Sequence, residues 1–258
     1  MLSGDGWKFT RGNNPKLSEL LLDIVVDIPA LFEATDRLLE TQVPEPGYTL
    51  QRVALMQRCN LFHKELEQWQ ENAERTIQGS VYWETEEVVT SGELQFGSRL
   101  EFSSLPVAQI LLFYWICRAM LYADMDRLAS SSYHHPGPNP YSISAISFAD
   151  LVIRSLPFCT DDKHGMSGVQ SATFPIWAAQ HAVYYKRSPE KYQYCYDLSR
   201  DIGEARGIYF LSLISTLSLE DYPPVGREGL TSRMNDLTMF FDKKKVDEFV
   251  YSGEIADN

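Results

Sequence analysis

The stretch Gly168–Cys195 reads GVQSATFPIWAAQHAVYYKRSPEKYQYC, and its pattern decides the class of fold. Trp177, His181 and Tyr184 or Tyr185 recur at helical spacing, so they share one helix face. Tyr185–Lys186–Arg187 ends that helix with cations, which the helix dipole favours at a C-terminus. Ser188–Pro189–Glu190 then restarts the chain as a helix, with a serine N-cap, proline at the first helical position and an acid in the first turn. Two helices joined by so short a turn are expected to be antiparallel neighbours.

The same period extends along the chain in both directions. Leu17–Glu40 is helical in pattern but holds Pro29, so a kink or a break near Asp27–Ile28 is expected. After a breaker at Val43–Thr49, Leu55, Cys59, Phe62, Leu66, Trp69 and Ala73 form an amphipathic stripe. His63 flanks that stripe and reads as a half-exposed helix residue. Pro106–Ala129, PVAQILLFYWICRAMLYADMDRLA, is apolar but broken by Gln109 and Arg118. That favours a buried core helix over a membrane span, which needs about 20 apolar residues. Ser130–Ser142 is a loop rich in proline, and a helix is expected over Ile143–Leu156, with Ile143, Ile146, Ala149, Ile153 and Leu156 on one face. Further helices are expected up to Gly203, through ARGIYFLSLISTLSLE, and over Ser232–Val250.

One segment departs from this pattern. Leu94, Phe96, Leu100 and Phe102 alternate as in a strand. A short hairpin or an extended loop packed on helices fits equally well, since no second set of strands is evident. The fold class is therefore all-α: a single multi-helix domain over 1–258, built of antiparallel helix pairs, with an acidic tail at 251–258 expected to be disordered.

Composition limits the functions. Hydrophobic residues make up 44% of the chain and aromatics 12%, enough for a core. The net charge is −12, and the only dense basic run is Lys243–Lys245. Phosphate neutralisation supplies most nucleic-acid affinity, so direct nucleic-acid binding is not expected. Cys59, Cys117, Cys159 and Cys195 are far apart, with neither a zinc spacing nor a disulfide framework, and read as buried reduced thiols. The N-terminus has no apolar signal region, so an intracellular, cytoplasmic or nuclear location is expected. No membrane association is expected either.

Several segments in order carry a family resemblance: LLDIVVDIPALFEATDRLLE, HKELEQWQ, SLPVAQILLFYWICRAMLY, GVQSATFPIWAAQHAV and SPEKYQYC. Together they resemble the fungal-specific transcription factor domain that follows the zinc-cluster module in many fungal regulators. The resemblance covers about Leu17 to Leu219 and rests on order and spacing, because each segment alone is a helical core pattern. It implies an all-helical domain that receives signals or partners and has no catalytic residues to transfer. The six-cysteine zinc cluster, C-x₂-C-x₆-C in its first half, is absent here. None of the family's DNA-binding residues carries over, and the chain reads as a free-standing regulatory-type domain.

No nucleotide-binding loop, H-E-x-x-H pair or G-x-S-x-G elbow occurs. No metal and no cofactor is expected. His134–His135 reads as part of an exposed polar loop. His164, beside acids in DDKHGM, is either an ordinary loop histidine or a tuned base.

Two helix faces carry candidate chemistry. Tyr114, Arg118 and Tyr122 recur at i, i+4 and i+8. A buried arginine needs a partner. It is either paired with an acid such as Asp150 or Glu204, or it anchors a ligand carboxylate, enolate or phenolate. Trp177, His181 and Tyr185 form an aromatic wall with one titratable group, or His181 is a satisfied core histidine.

Facing each other, these helices would line an apolar pocket with a few polar groups. His181, Arg118 and Tyr185 are then the catalytic candidates, and Tyr114, Tyr122, Trp177 and Tyr184 the ligand-binding ones. Two classes of function follow. One is a regulatory domain that binds a hydrophobic small molecule or a protein partner. The other is a cofactor-independent enzyme, a cyclase or isomerase of fungal secondary metabolism, for which a shaped cavity and an acid or base suffice.

Overall fold

A computed structural model describes residues 15–40, 47–77, 80–91, 94–130, 139–185 and 189–206. All of them lie in the unit Met1–Leu217. The helices expected through 205–220 and over Ser232–Val250, and the tail at 251–258, fall beyond or at the margin of these residues. Seven α-helices and one two-stranded sheet are present among the described residues: α1 (Leu17–Val25), α2 (Ile28–Glu40), α3 (Tyr48–Thr76), β1 (Tyr82–Ser91), β2 (Leu94–Phe102), α4 (Leu105–Ser130), α5 (Pro140–Thr160), α6 (Gly165–Tyr185) and α7 (Pro189–Arg206). The class is all-α with one hairpin.

The break near Asp27–Ile28 is real. Val26 and Asp27 form a turn between α1 and α2, and Pro29 sits in the first turn of α2, where its missing N–H is harmless. The backbone N–H of Lys16 donates to Glu19 (2.8 Å), closing the start of α1. Trp69 of α3 donates its indole N–H to the Leu17 carbonyl (2.8 Å), which ties α1 to α3.

α4 is apolar over most of its surface, as a helix packed on several sides must be. It packs against α1, α2, α3, α5, α6 and β2. Leu112, Ile116, Leu121, Met125 and Leu128 are fully buried along it. By length and composition, α4 (over Leu105–Ala129) and α5 could each cross a membrane, but core helices pass the same test, and here roughly half of each is enclosed by protein.

α5 begins earlier than the sequence pattern suggested. Asn139 caps it by accepting from the Tyr141 N–H (3.2 Å), and Pro140 takes the first helical position. Ile143 lies off the buried face, 53% exposed, whereas Ala149, Ile153 and Leu156 are buried. α5 also continues past its expected end at Leu156. α5 runs to Thr160, a single 3₁₀ turn at Asp162–His164 follows, and α6 starts at Gly165. Gly168 allows this tight crossover, because a Cβ there would collide with the Cys159 carbonyl and the His164 side chain.

The alternating segment is a hairpin. Its partner strand is Tyr82–Ser91, paired antiparallel with Tyr82 opposite Phe102 and Trp83 opposite Glu101. YWETEEVVTS hides this role because three glutamates interrupt it and irregular pairing between Glu84 and Val88 breaks its alternation. Phe96, Leu100 and Phe102 are buried; Phe102 packs on Phe158 of α5 and Phe96 on Tyr194 of α7. Arg154 of α5 donates to the Ser98 carbonyl (2.6 Å) and pairs with Glu84 (2.8 Å). Gly97 has φ 111°, and the Arg154 side chain lies 3.2 Å from where its Cβ would be.

α6 and α7 pack on one another, with Pro189 first and Glu190 in the opening turn of α7 as expected; the N-cap Ser188 and the cations Lys186 and Arg187 lie outside the described residues.

Candidate functional site

The helical period of α4 stacks Tyr114, Arg118 and Tyr122 on one face. Opposite them stands α3, whose Gln70, Glu67 and His63 are spaced three and four apart. The contacts pair Gln70 with Tyr114, Glu67 with Arg118 and His63 with Tyr122, so the two helices run antiparallel. The result is a polar seam inside an otherwise apolar interface.

Arg118 is its centre, with a side chain only 6% exposed. One terminal nitrogen donates to the Tyr114 hydroxyl (3.1 Å). The other donates to Glu67 Oε1 (3.1 Å) and the Tyr122 hydroxyl (3.2 Å). The guanidinium carbon lies 5.0 Å from the Phe148 ring centre, at cation–π distance. Burial alone would lower the Arg118 pKa, but Tyr114, Tyr122 and Glu67 outweigh it and the net direction is upward. Arg118 Nε has no hydrogen-bond partner. The Tyr114 hydroxyl in turn donates to Gln70 Oε1 (2.6 Å), and burial pushes its pKa up to about 12.

Of the two acids expected to pair with Arg118, Asp150 binds Lys191 of α7 instead (2.5 and 2.7 Å). The side chain of Glu204 lies outside the described residues. The actual partner is Glu67, on a helix whose acids read as the solvated far side of the stripe.

His63 is 6% exposed, not half-exposed. It sits four residues after Cys59 on the packed face of α3, and the Tyr122 ring covers it at 4.1 Å. Burial, then the nearby Arg118 charge, lower its pKa to about 3. Both ring nitrogens are buried without a hydrogen-bond partner.

Beyond Tyr122 the seam reaches α2. Arg127 bonds Asp36 (2.7 Å) and Asp124 (3.1 Å), so one cation faces two buried acids. Burial raises the Asp124 pKa to about 7, with Arg127 pulling against it and Asp36 adding to the rise. This cluster escaped the sequence reading: Asp36 lies twenty or so residues before the stripe of α3, and nothing local marks it as buried.

Of the second predicted face, Trp177 and His181 are described, and they stand apart from Arg118. Trp177 and His181 of α6 are both buried with ring centres 4.4 Å apart. Phe174 stacks on Trp177 at 5.8 Å. Tyr184 and Tyr185 belong to α6, though their side chains fall outside the described residues. α4 and α6 do pack together, but through Phe113 with Phe174 and Gln109 with Ser171 (2.6 Å). The contacts of Arg118 come from α3, α4 and α5, so His181 and Arg118 belong to separate clusters.

His164 packs on Phe158 at 4.6 Å, and its pKa is lowered, chiefly by burial. His134–His135 lie outside the described residues. Among the described residues no group of three or more His, Cys, Asp or Glu is arranged to hold a metal. All four cysteines are free and buried, and burial pushes each thiol up to about 12.

No protein-family model, curated protein or solved structure matches this chain.

Proposed function

We propose that this chain is a regulatory-type helical domain that binds a hydrophobic small molecule at the α3–α4 seam. The supporting observation is the concentration of unsatisfied buried polar atoms there. His63 Nδ1, His63 Nε2 and Arg118 Nε lack partners within one aromatic-walled cluster. Buried polar groups are nearly always paired, so three orphans in one cluster call for a partner, a water or a ligand, and we read them as a ligand site. Tyr114, Tyr122 and Phe148 supply apolar walls, and Arg118 supplies one fixed charge, the composition of an ordinary ligand site. The regulatory part of the reading rests on the resemblance to the fungal transcription factor domain.

The test is a thermal-shift screen with hydrophobic molecules, neutral and acidic. Binding at the seam raises the melting temperature of the wild type and not of Tyr122→Ala. A screen in which no molecule separates the two proteins sinks the reading. Mass spectrometry of each bound molecule separates binding from turnover, since a chemically altered probe would move the chain to the enzyme class.

A further inference from the structure

The guanidinium of Arg118 is only partly used. Its Nε–H and the neighbouring terminal NH₂ form one side of a planar fork that matches the two oxygens of a carboxylate. Glu67 takes the terminal nitrogen with a single oxygen at 3.1 Å, and Nε stays bare although the side chain is 94% enclosed (6% exposed). The carboxylate that occupies the fork is itself 54% exposed and belongs to a surface turn of α3. The other guanidinium contacts are phenol hydroxyls and aromatic faces, which carry no neutralising charge at neutral pH.

From this we infer that the ligand is a flat hydrophobic carboxylate, and that Glu67 is a displaceable stand-in for it. The inference rests on the ligand-binding reading above and names the chemical class. The incoming carboxylate takes Nε and the terminal NH₂ together, one charge-assisted bond more than Glu67 makes. Glu67 swings to water, where an exposed acid loses little. The flat body of the ligand lies along the edges of the Tyr122 and Phe148 rings, whose faces are taken by each other, by His63 and by the guanidinium. The protein's own acid thus competes with the ligand and sets a threshold concentration for binding.

The experiment uses naphthalene-2-carboxylate and the neutral naphthalene-2-carboxamide as probes, with calorimetry on the wild type and Glu67→Gln. The carboxylate binds Glu67→Gln about threefold to fivefold tighter than wild type, the worth of one competing ion pair whose acid is half in water. The carboxamide binds both proteins equally or not at all. In ¹⁵N-arginine NMR of the wild type, the carboxylate shifts the Arg118 Nε–H resonance, a readout that needs no substitution of Arg118. Equal binding of carboxylate and carboxamide to both proteins overturns the inference and leaves the small-molecule reading standing. Equal carboxylate affinity in wild type and Glu67→Gln removes Glu67 from the role of competitor and overturns it too. Binding of neither probe overturns it as well, and the ligand-binding reading then stands or falls on the wider screen.

Discussion

Arg118 and Glu67 join α4 to α3 through a 3.1 Å ion pair in which the cation is buried and the acid half in water. That asymmetry governs what each substitution does. Arg118→Ala strips Tyr114 and Tyr122 of a buried donor and opens a cavity between two helices, so urea denaturation is expected to show a loss of about 3 kcal/mol. Arg118→Met fills the space without the charge and recovers most of that loss. Glu67→Gln costs under about 1 kcal/mol, because an exposed acid contributes little. Equal costs for Arg118→Ala and Glu67→Gln would contradict this account.

The seam also titrates in two opposing ways. His63 has a folded pKa lowered to about 3 from 6.5, so its contribution is fully present above pH 6.5 and is lost as pH falls toward 3. Asp124 has a folded pKa raised to about 7 from 3.8, so its contribution is fully present below pH 3.8 and is lost as pH rises to 7. Between pH 4 and 6.5 the two oppose each other, and the stability of the wild type is expected to vary little. Asp124→Asn leaves the histidine effect alone, so stability rises with pH over this range. His63→Phe leaves the aspartate effect alone, so stability falls. Urea titrations at four or five pH values separate the slopes.

The crossover at Gly168 has no room for a side chain. Gly168→Ala pushes a methyl against the Cys159 carbonyl and the His164 side chain, and backbone cannot yield as a flexible side chain can. A cost of about 2 kcal/mol or more is expected from thermal or urea melts. A neutral result would mean that α6 can shift relative to the end of α5.

Thiol reactivity gives a fourth check. Cys59, Cys117, Cys159 and Cys195 are buried and held as thiols by burial. Ellman's reagent is expected to label none of them in the folded protein and all four in urea. Rapid labelling of a single cysteine at neutral pH would locate a segment that opens.

Much of the fold was legible because helical period is a local property. The break before Ile28, the stripe from Leu55 to Ala73 (with His63 buried in place of Phe62), the core helix carrying Arg118 and the restart at Pro189 follow from spacing and from proline chemistry. The hairpin was half legible: Phe96, Leu100 and Phe102 alternate visibly, but β1 carries its acids outward and its pairing is irregular. The early start of α5 was missed because Asn139 and Pro140 sit among loop-like residues although they form a good cap.

The candidate site divides the same way. That Tyr114, Arg118 and Tyr122 share a face is fixed by the pitch of one helix, and sequence alone determined it. Their partners belong to another helix. Glu67 reads as solvated and His63 as half-exposed, and nothing marks Gln70, until α4 is laid against α3 in an antiparallel register. The same holds for Asp36, which meets Arg127 across three elements. The reason is physical: period reports which side chains share a face, whereas burial, charge pairing and pKa depend on what covers that face. Tertiary packing alone decided that Arg118 belongs with Glu67 and His63 and that His181 belongs with Trp177.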